Sequence, residues 1–182
     1  PQSPYGAAKL SVEYYMGYYA RVHGLDTVAL RYANVYGPRQ DPHGEAGVVA
    51  IFCDRLIDDA PITIFGDGRQ TRDYVYAGDV ARANLLAAGA TLPPARALDT
   101  RAFNIGTSVE TDVVTLADIL RRISGNGSDV THAPARAGEQ LRSAVAIDKA
   151  ARVLGWRPAV ELEDGLRLTY DWFVQRRTEA RS

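Results

Sequence analysis

A long helical segment that leads directly into a short apolar one is the feature that most constrains the fold. Ser3 and Pro4 are typical of the first residues of a helix, and Gly24 follows the run that ends at His23, as glycine does after many helices. Residues 27–32, TVALRY, are β-branched and apolar, which is typical of a buried strand of a parallel sheet. A helix followed by such a strand predicts an α/β fold.

The remainder of the chain continues to alternate between the two patterns. Further helices are predicted over residues 48–59, 79–90, 115–123, 148–154 and 162–177, with Thr115 and Asp118 as a capping box for the third of these. Further strands are predicted over residues 62–65, 71–76, 102–105 and 130–132. Residues 34–47, 91–100, 124–128 and 133–146 are predicted to be loops or irregular.

Composition fits one globular domain and argues against several functions. The chain has 182 residues, of which 46% are hydrophobic, and a net charge of -1, so it has no basic field for binding nucleic acid. Cys53 is the only cysteine; it cannot form an intrachain disulfide and is expected to be a small buried residue. No apolar run is long enough to span a membrane. We expect a cytoplasmic protein that does not bind a membrane. We also expect no metal site, because the three histidines lack the spacing of metal ligands.

Tyr5 and Lys9 are four residues apart at the start of the first helix, which places both side chains on one face. A nearby ammonium favours the ionised form of a phenol, so the pair could serve as a general base. An ordinary surface pair is the alternative, since this spacing also arises by chance. Tyr14, Tyr15, Tyr18 and Tyr19 are expected to pack in the core or in a dimer interface.

Several motifs occur together and in order. They are SPYGAAK, RYANVYGPRQ, IFGDGRQTRDYVYAGDVARA, FNIGTS and PARAGE. In this order and with these separations the chain resembles the extended short-chain dehydrogenase/reductase family of NAD-dependent nucleotide-sugar epimerases and dehydratases over nearly its whole length. The resemblance implies a Rossmann-type parallel sheet with a smaller α/β substrate-binding subdomain.

The resemblance also implies roles for individual residues. Tyr5 and Lys9 would be the catalytic pair, with the tyrosine exchanging a proton with a sugar hydroxyl and both residues contacting the NAD cofactor. Tyr32 and Val35 would lie beside the nicotinamide. The substrate contacts implied by the family are Asn34, Val48, Val49, Thr63, Phe65, Arg72, Arg136, Glu139 and Ser143.

For six of these positions the resemblance implies a specific contact. Asn34, Arg72 and Arg136 would bind the diphosphate, and Thr63 and Phe65 would border the uracil. Ser143 would border the pocket for the C2 substituent of the sugar. Judged from the residues alone, the two arginines could instead pair with Asp73, Asp79 or Glu139, and Ser143 could simply lie in an irregular segment.

The family's glycine-rich NAD fingerprint and catalytic Ser/Thr precede the YGAAK segment, whereas four residues precede Tyr5 here. We therefore expect the carboxyl-terminal part of a longer enzyme, inactive by itself. Residues 1–33 would close the Rossmann part, 34–182 would form mainly the substrate subdomain, and 77–106 would return to the Rossmann part.

The phrase DPHGEAGVVAIF is most like UDP-glucose 4-epimerases, which implies an isomerase of galactose metabolism that interconverts UDP-glucose and UDP-galactose through a 4-keto intermediate, as a homodimer. A dTDP-glucose 4,6-dehydratase, a UDP-glucuronate decarboxylase and a non-catalytic nucleotide-sugar-binding fragment remain open.

Overall fold

A computed structural model describes residues 3–43, 47–136 and 138–180 of the chain. The helices are α1 Pro4–His23, α2 Val48–Ile57, α3 Ala77–Gly89, α4 Val113–Ser124, α5 Asp148–Leu154 and α6 Leu162–Glu179, with a 3₁₀ turn at Leu98–Arg101. The strands are β1 Ala29–Tyr32, β2 Asn34–Tyr36, β3 Ile62–Phe65, β4 Thr71–Arg72, β5 Tyr74–Tyr76, β6 Ala102–Ile105, β7 Thr111–Asp112 and β8 Val130–Ala133. Among the described helices, none combines the length and apolar character that a membrane crossing needs.

Parallel pairing dominates the strands. β1 pairs with β6, β2 with β5 and β3 with β8, all in parallel, while β4 and β7 form an antiparallel pair. Helices lie between the paired parallel strands along the chain, as the crossover connection of parallel strands requires. The predicted α/β class with a parallel sheet is confirmed.

At two places that lie side by side, one strand ends and the next begins at once with a different partner. The chain leaves β6 after Ala33, whose N–H donates to the Ile105 carbonyl, and joins β5 at Asn34. The second change lies at Asp73, between β4, which pairs with β7, and β5, which pairs with β2. The Asn34 N–H donates to the Asp73 carbonyl at 2.8 Å. The two switch points therefore meet.

Helix α1 is well capped but lies on the surface. Ser3 Oγ accepts from the Gly6 N–H at 3.0 Å, and Gly24 takes a left-handed conformation at the other end. None of the residues of α1 is buried. A bidentate ion pair ties it to β1, with Arg31 donating to both carboxylate oxygens of Glu13.

The tyrosine cluster of α1 is exposed. The exposed fractions of Tyr14, Tyr15, Tyr18 and Tyr19 range from 46% to 66%. The prediction that they belong to the core is wrong for the described structure, because α1 has no layer packed against this face. The alternative prediction of dimer packing stays a prediction.

The buried side chains form two clusters. One joins α2, β3, α4 and α6 and contains Cys53, which is completely buried as predicted. The other joins β5, α3, β6 and α5 around Trp156. Tyr36 belongs to the first cluster and donates to the Leu162 carbonyl at the start of α6. An added Cβ at Gly165 would overlap the Tyr36 hydroxyl, so this close approach requires glycine.

Most predicted elements are present with small shifts, and three predictions are wrong. Residues 34–36 were expected to be loop but form β2, because their backbone pairs with β5. The expected single strand 71–76 is divided at Asp73 by the change of partner. Helix α4 begins at Val113, with Asp112 Oδ1 accepting from the Thr115 N–H, so Thr115 lies inside the helix rather than at its cap. Of the predicted loops, residues 44–46 and 137 lie outside the described residues.

Candidate active site

The candidate site is built around the point where the two partner changes meet. Asp73 is completely buried, and its Oδ1 accepts from the backbone N–H and the hydroxyl of Thr107, both at 2.7 Å. Its Oδ2 accepts from the N–H groups of Ser108 at 3.0 Å and Val145 at 3.3 Å. In open α/β sheets, ligands bind in the crevice beyond the carboxyl ends of the strands, and Asn34, whose N–H donates to Asp73, follows the carboxyl end of β1.

Arg72 lies next to this switch and is held in place on one side. Its Nη1 donates to the Thr71 carbonyl at 2.8 Å and to the Gln140 carbonyl at 2.7 Å, and its Nη2 donates to Glu139 Oε1 at 3.2 Å. A guanidinium has five N–H donors, and one on Nε and one on Nη2 have no acceptor among the described residues. These adjacent nitrogens form the fork that a phosphate accepts in two hydrogen bonds. The alternative of pairing with Glu139 is thus present, and it leaves Arg72 able to bind an anion.

The segment 138–147, which we call the strap, runs beside β4 and has neither helix nor strand structure before Asp148. The Thr71 N–H donates to the Leu141 carbonyl at 2.8 Å. Glu110 accepts from Thr71 Oγ1 at 2.5 Å and from Arg142 through two nitrogens at 2.8 and 3.0 Å. Three consecutive residues, Thr71 to Asp73, therefore anchor the strap.

Arg136 lies at the start of the same region and stacks on an aromatic ring. Its guanidinium carbon is 3.9 Å from the ring centroid of Phe65. This arrangement keeps a cation at the end of β3, where the planar donors of Arg136 can face a ligand.

The outer edge of β3 offers backbone groups. In the β3–β8 pair, the N–H groups of Ile62 and Gly66 point toward β8, donating to Asp129 and Ala133. Because successive residues of a strand alternate in direction, the backbone groups of Thr63 and Phe65 face the opposite edge, where no described strand pairs. The Phe65 carbonyl also accepts from Gln70 Nε2 at 3.1 Å. This edge can form hydrogen bonds with a planar base.

Tyr74 is a candidate that the sequence did not reveal. Its side chain is 5% exposed, and its hydroxyl has no hydrogen-bond partner among the described residues. Burial raises the pKa of Tyr74 to about 12, and the charges of Arg72, Asp112 and Glu139 have smaller effects. The hydroxyl therefore remains a neutral donor near the Arg72–Glu139 pair. A buried donor without a partner is costly, which suggests that a ligand supplies the acceptor.

Tyr5 and Lys9 form a separate pair on α1, one turn apart as predicted. The Lys9 Nζ lies 5.3 Å from the centroid of the Tyr5 ring, and Tyr5 is 70% exposed. An accessible phenol beside an accessible ammonium fits the nicotinamide riboside of NAD, whose hydroxyls are acceptors for the ammonium. The residues present thus fit this end of the cofactor.

The neighbouring residues of β1 and β2 differ in how open they are. Tyr32 is 46% exposed, and its hydroxyl donates to Asn84 Oδ1 on α3 at 3.0 Å. Val35 is partly buried against the second core cluster. Asn34 has an exposed side chain, while its backbone is fixed by Asp73, so its amide is available to a ligand.

The remaining substrate candidates differ in how accessible their side chains are. Val49 is 1% exposed and its side chain packs in the first core cluster, so only its backbone could contact a substrate. Val48 is partly buried at the first position of α2. Ser143 is partly buried on the strap, between Arg142, which Glu110 holds, and Val145, which Asp73 holds.

Metal binding finds no support within the described ranges, which contain no group of three His, Cys, Asp or Glu side chains placed to hold an ion. The side chains of His23, His43 and His132 are exposed, as predicted for surface or loop histidines.

Comparison with known proteins identifies the family. Residues 1–106 match the model of the NAD dependent epimerase/dehydratase family. A putative UDP-glucose 4-epimerase of Methanocaldococcus jannaschii is 43% identical over 172 residues, which are 94% of this chain and 53% of the relative. A dTDP-glucose 4,6-dehydratase of an Actinoplanes species is 34% identical over 98% of this chain and 53% of its own length. The chain spans about half the length of the curated relatives it matches.

A solved structure agrees in fold. The crystal structure of a UDP-glucose 4-epimerase from Thermotoga maritima with UDP-glucose superposes with a TM-score of 0.88 and 48% sequence identity. The match covers 97% of this chain and 54% of that one.

Proposed function

The chain belongs to the NAD dependent epimerase/dehydratase family, and from this premise we propose that it is the substrate-binding part of a nucleotide-sugar 4-epimerase. The proposed substrates are UDP-glucose and UDP-galactose. The observation that carries the proposal is Arg72, whose guanidinium is fixed on one side by the strap and keeps the Nε and Nη2 donors for a phosphate. The Thermotoga relative, whose crystal structure contains UDP-glucose, supports the choice of nucleotide sugar.

We assign the diphosphate to Arg72, Arg136 and the Asn34 amide. The two arginines come from β4 and from the region before the strap, so they can approach the diphosphate from different directions. Two cations can balance the charge of a diphosphate. The Tyr74 hydroxyl would donate to the same group, and the outer edge of β3 at Thr63 and Phe65 would receive the uracil.

We assign the proton transfer to Tyr5. The ionised phenol of Tyr5 would accept the proton of the sugar 4-hydroxyl, become the neutral phenol and later return that proton. The Lys9 ammonium lies beside the ring. NAD, when bound, supplies the hydride acceptor and donor for the same carbon. Because Tyr5 is open to solvent in this chain, the bound sugar and cofactor must exclude water from it.

A dehydratase is the second candidate, because a dTDP-glucose 4,6-dehydratase is 34% identical to the chain. Both reactions begin with oxidation at C4, so the site geometry around Tyr5 serves either. Decarboxylation of UDP-glucuronate and binding without catalysis are further alternatives. We also propose that the exposed tyrosines of α1 pack against a second copy in a homodimer.

The first test is a titration of the 182-residue chain with UDP, in which NMR or calorimetry measures the binding. Binding is expected, and its absence would contradict the proposal. An enzyme in which this chain follows an NAD-binding half is then assayed with UDP-glucose and dTDP-glucose. UDP-galactose as product supports the epimerase, and a 4-keto-6-deoxy sugar indicates the dehydratase.

Tyr5→Phe in that enzyme is expected to lower kcat by a factor of about 100 or more, the scale of one general acid/base group, with little effect on substrate binding. Tyr170→Phe, at a tyrosine of α6 to which no role in the site is assigned, is the control. A Tyr5→Phe enzyme of near-normal kcat would assign the proton transfer to another group.

A further inference from the structure

We propose that Asp73 is a positioning residue that joins the ligand-bearing segments of the site. This role rests on the proposed function, because it concerns the same nucleotide site. Asp73 lies between two ligand candidates, Arg72 and Tyr74, and contacts no ligand itself, since its carboxylate is completely buried. Its contribution is made through the backbone of other segments.

Three segments converge on this residue. Its carbonyl accepts from the Asn34 N–H at the start of β2. Its carboxylate accepts from Thr107 and Ser108, which follow β6. It also accepts from Val145 at the end of the strap. One residue thus fixes the backbone that presents Asn34, the turn after β6 and the segment that contains Glu139 and Ser143.

The carboxylate is suited to this task because it only accepts. The four donors are three backbone N–H groups and one hydroxyl, and none of them carries a formal charge. Hydrogen bonds to an ionised acceptor are stronger than those between neutral groups. The negative charge is therefore stabilised by four dipoles, and each of them belongs to a segment without helix or strand structure.

Gly106 makes the approach possible. A Cβ at this position would lie 2.5 Å from Asp73 Oδ2 and 2.6 Å from Val145 Cγ2. Any larger residue would force the turn after β6 away from both Asp73 and the strap. Close packing against Asp73 and Val145 therefore requires glycine at this position of the FNIGTS motif.

The strap has a second anchor to the same turn. Ser108 Oγ donates to the Val145 carbonyl at 2.8 Å, while the Val145 N–H donates to Asp73. The N–H and the carbonyl of Val145 are therefore both hydrogen-bonded. Loss of the Asp73 carboxylate would leave the Val145 N–H without this acceptor, whereas the bond from Ser108 to the Val145 carbonyl would remain.

Asp79 offers a matched control. It is 3% exposed, and it accepts from Arg82 and from the N–H groups of Ala159 and Val160, the last two at 3.0 Å. It thus resembles Asp73 in burial and in accepting from two backbone N–H groups through Oδ2, but it fixes the turn before α6 rather than the strap. Asp73→Asn and Asp79→Asn both replace one acceptor oxygen by an amide donor.

The experiment compares UDP affinity and Tm in the 182-residue chain and in the two variants. Asp73→Asn is expected to weaken UDP binding about ten-fold, because its amide would face the N–H groups of Ser108 and Val145 or of Thr107. Both variants are expected to lower Tm by similar amounts, but Asp79→Asn should leave UDP affinity unchanged. Equal UDP affinity of Asp73→Asn and the unchanged chain would overturn the positioning role, as would an equal loss in both variants.

Thr107→Val keeps the test decisive if Asp73→Asn does not fold. It removes the hydroxyl that donates to Asp73 Oδ1 and preserves the carboxylate, so UDP binding is expected to weaken about three-fold. Unchanged affinity in a folded Thr107→Val chain would then overturn the proposal. Failure of the unchanged chain to bind UDP has a different meaning, because it would remove the proposed function and this role with it.

Discussion

The guanidinium of Arg72 and the carboxylate of Glu139 are 3.2 Å apart and join β4 to the strap. Their side chains are 18% and 26% exposed, so the pair is only partly screened by solvent. Together with the bond from Arg72 to the Gln140 carbonyl, it orients the guanidinium before any ligand arrives. An arginine held in this way loses less conformational entropy when it binds a phosphate.

Arg72→Ala is expected to weaken UDP binding by about 1.5 to 3 kcal/mol, the scale of a hydrogen bond to a charged group. Arg136→Ala should have a similar effect, because Arg136 is the second proposed diphosphate contact. Calorimetric titration with UDP measures both. Arg122→Ala is the control, since Arg122 pairs with Glu163 on the surface. A lower Tm with unchanged UDP affinity would show that Arg72 serves only to hold the strap.

Tyr74→Phe is expected to weaken UDP binding by about 0.5 to 1.5 kcal/mol, as for one neutral hydrogen bond, while leaving Tm unchanged or slightly higher. The reason is that the hydroxyl is buried without a partner in the described structure. Tyr36→Phe is the matched control, because its hydroxyl donates to the Leu162 carbonyl. That variant should lose stability and retain UDP affinity. A Tyr74→Phe chain with a lower Tm and normal affinity would indicate a bond within the protein instead.

The parts of the site that local patterns describe could be predicted from the sequence. The spacing of Tyr5 and Lys9 and the capped ends of α1 follow from helix geometry, and the structure places the pair on one face. The resemblance to a family indicated Arg72, Arg136 and Glu139, of which the structure brings Arg72 and Glu139 into contact.

The residues that join these parts could not be predicted. Asp73 contacts Val145, 72 residues away, and Glu110 contacts Arg142, 32 residues away. Neither contact produces a periodic pattern, because it depends on where two strands change partners. The change of partner at Asp73 also left no trace in the sequence. Side chains continue to alternate through residues 71–76, so the pattern predicted one strand although the partner strand changes.

Glu110 gives the strap a dependence on acidic pH. The hydrogen bonds from Arg142 and Thr71 hold the pKa of Glu110 below its ordinary value. A carboxyl group whose pKa is lowered by folding stabilises the protein above its unfolded pKa of about 4.3 and loses this effect as the pH falls through the folded value. The difference in Tm between the unchanged chain and Glu110→Gln is therefore expected to be present near neutral pH and to shrink below about pH 4.

Thermal unfolding between neutral pH and pH 3 measures this difference. Arg142→Ala should reproduce it, because it removes the partner that contributes most to the lowered pKa. A difference that is independent of pH would assign the effect of Glu110→Gln to packing.

The choice of sugar is expected to depend on Ser143. Its position on the strap is fixed from both sides, since Arg142 is bound to Glu110 and Val145 to Asp73 and Ser108. The family resemblance implies that Ser143 borders the sugar, where its small side chain would leave room, so we predict that the complete enzyme accepts UDP-N-acetylglucosamine as well as UDP-glucose. Ser143→Tyr should abolish the first activity and spare the second, because a bulky side chain excludes only the substrate that needs the space.

The measurement is kcat/KM for both sugars, in the enzyme that contains this chain and in its Ser143→Tyr variant. Ala144→Tyr is a suitable control, because the neighbouring side chain is exposed and should not affect the ratio. Rejection of the N-acetylated sugar by the unchanged enzyme would contradict the assignment. So would an equal loss of both activities in Ser143→Tyr, since a displaced strap would impair the binding of the shared UDP group, whereas a filled pocket discriminates between the two sugars.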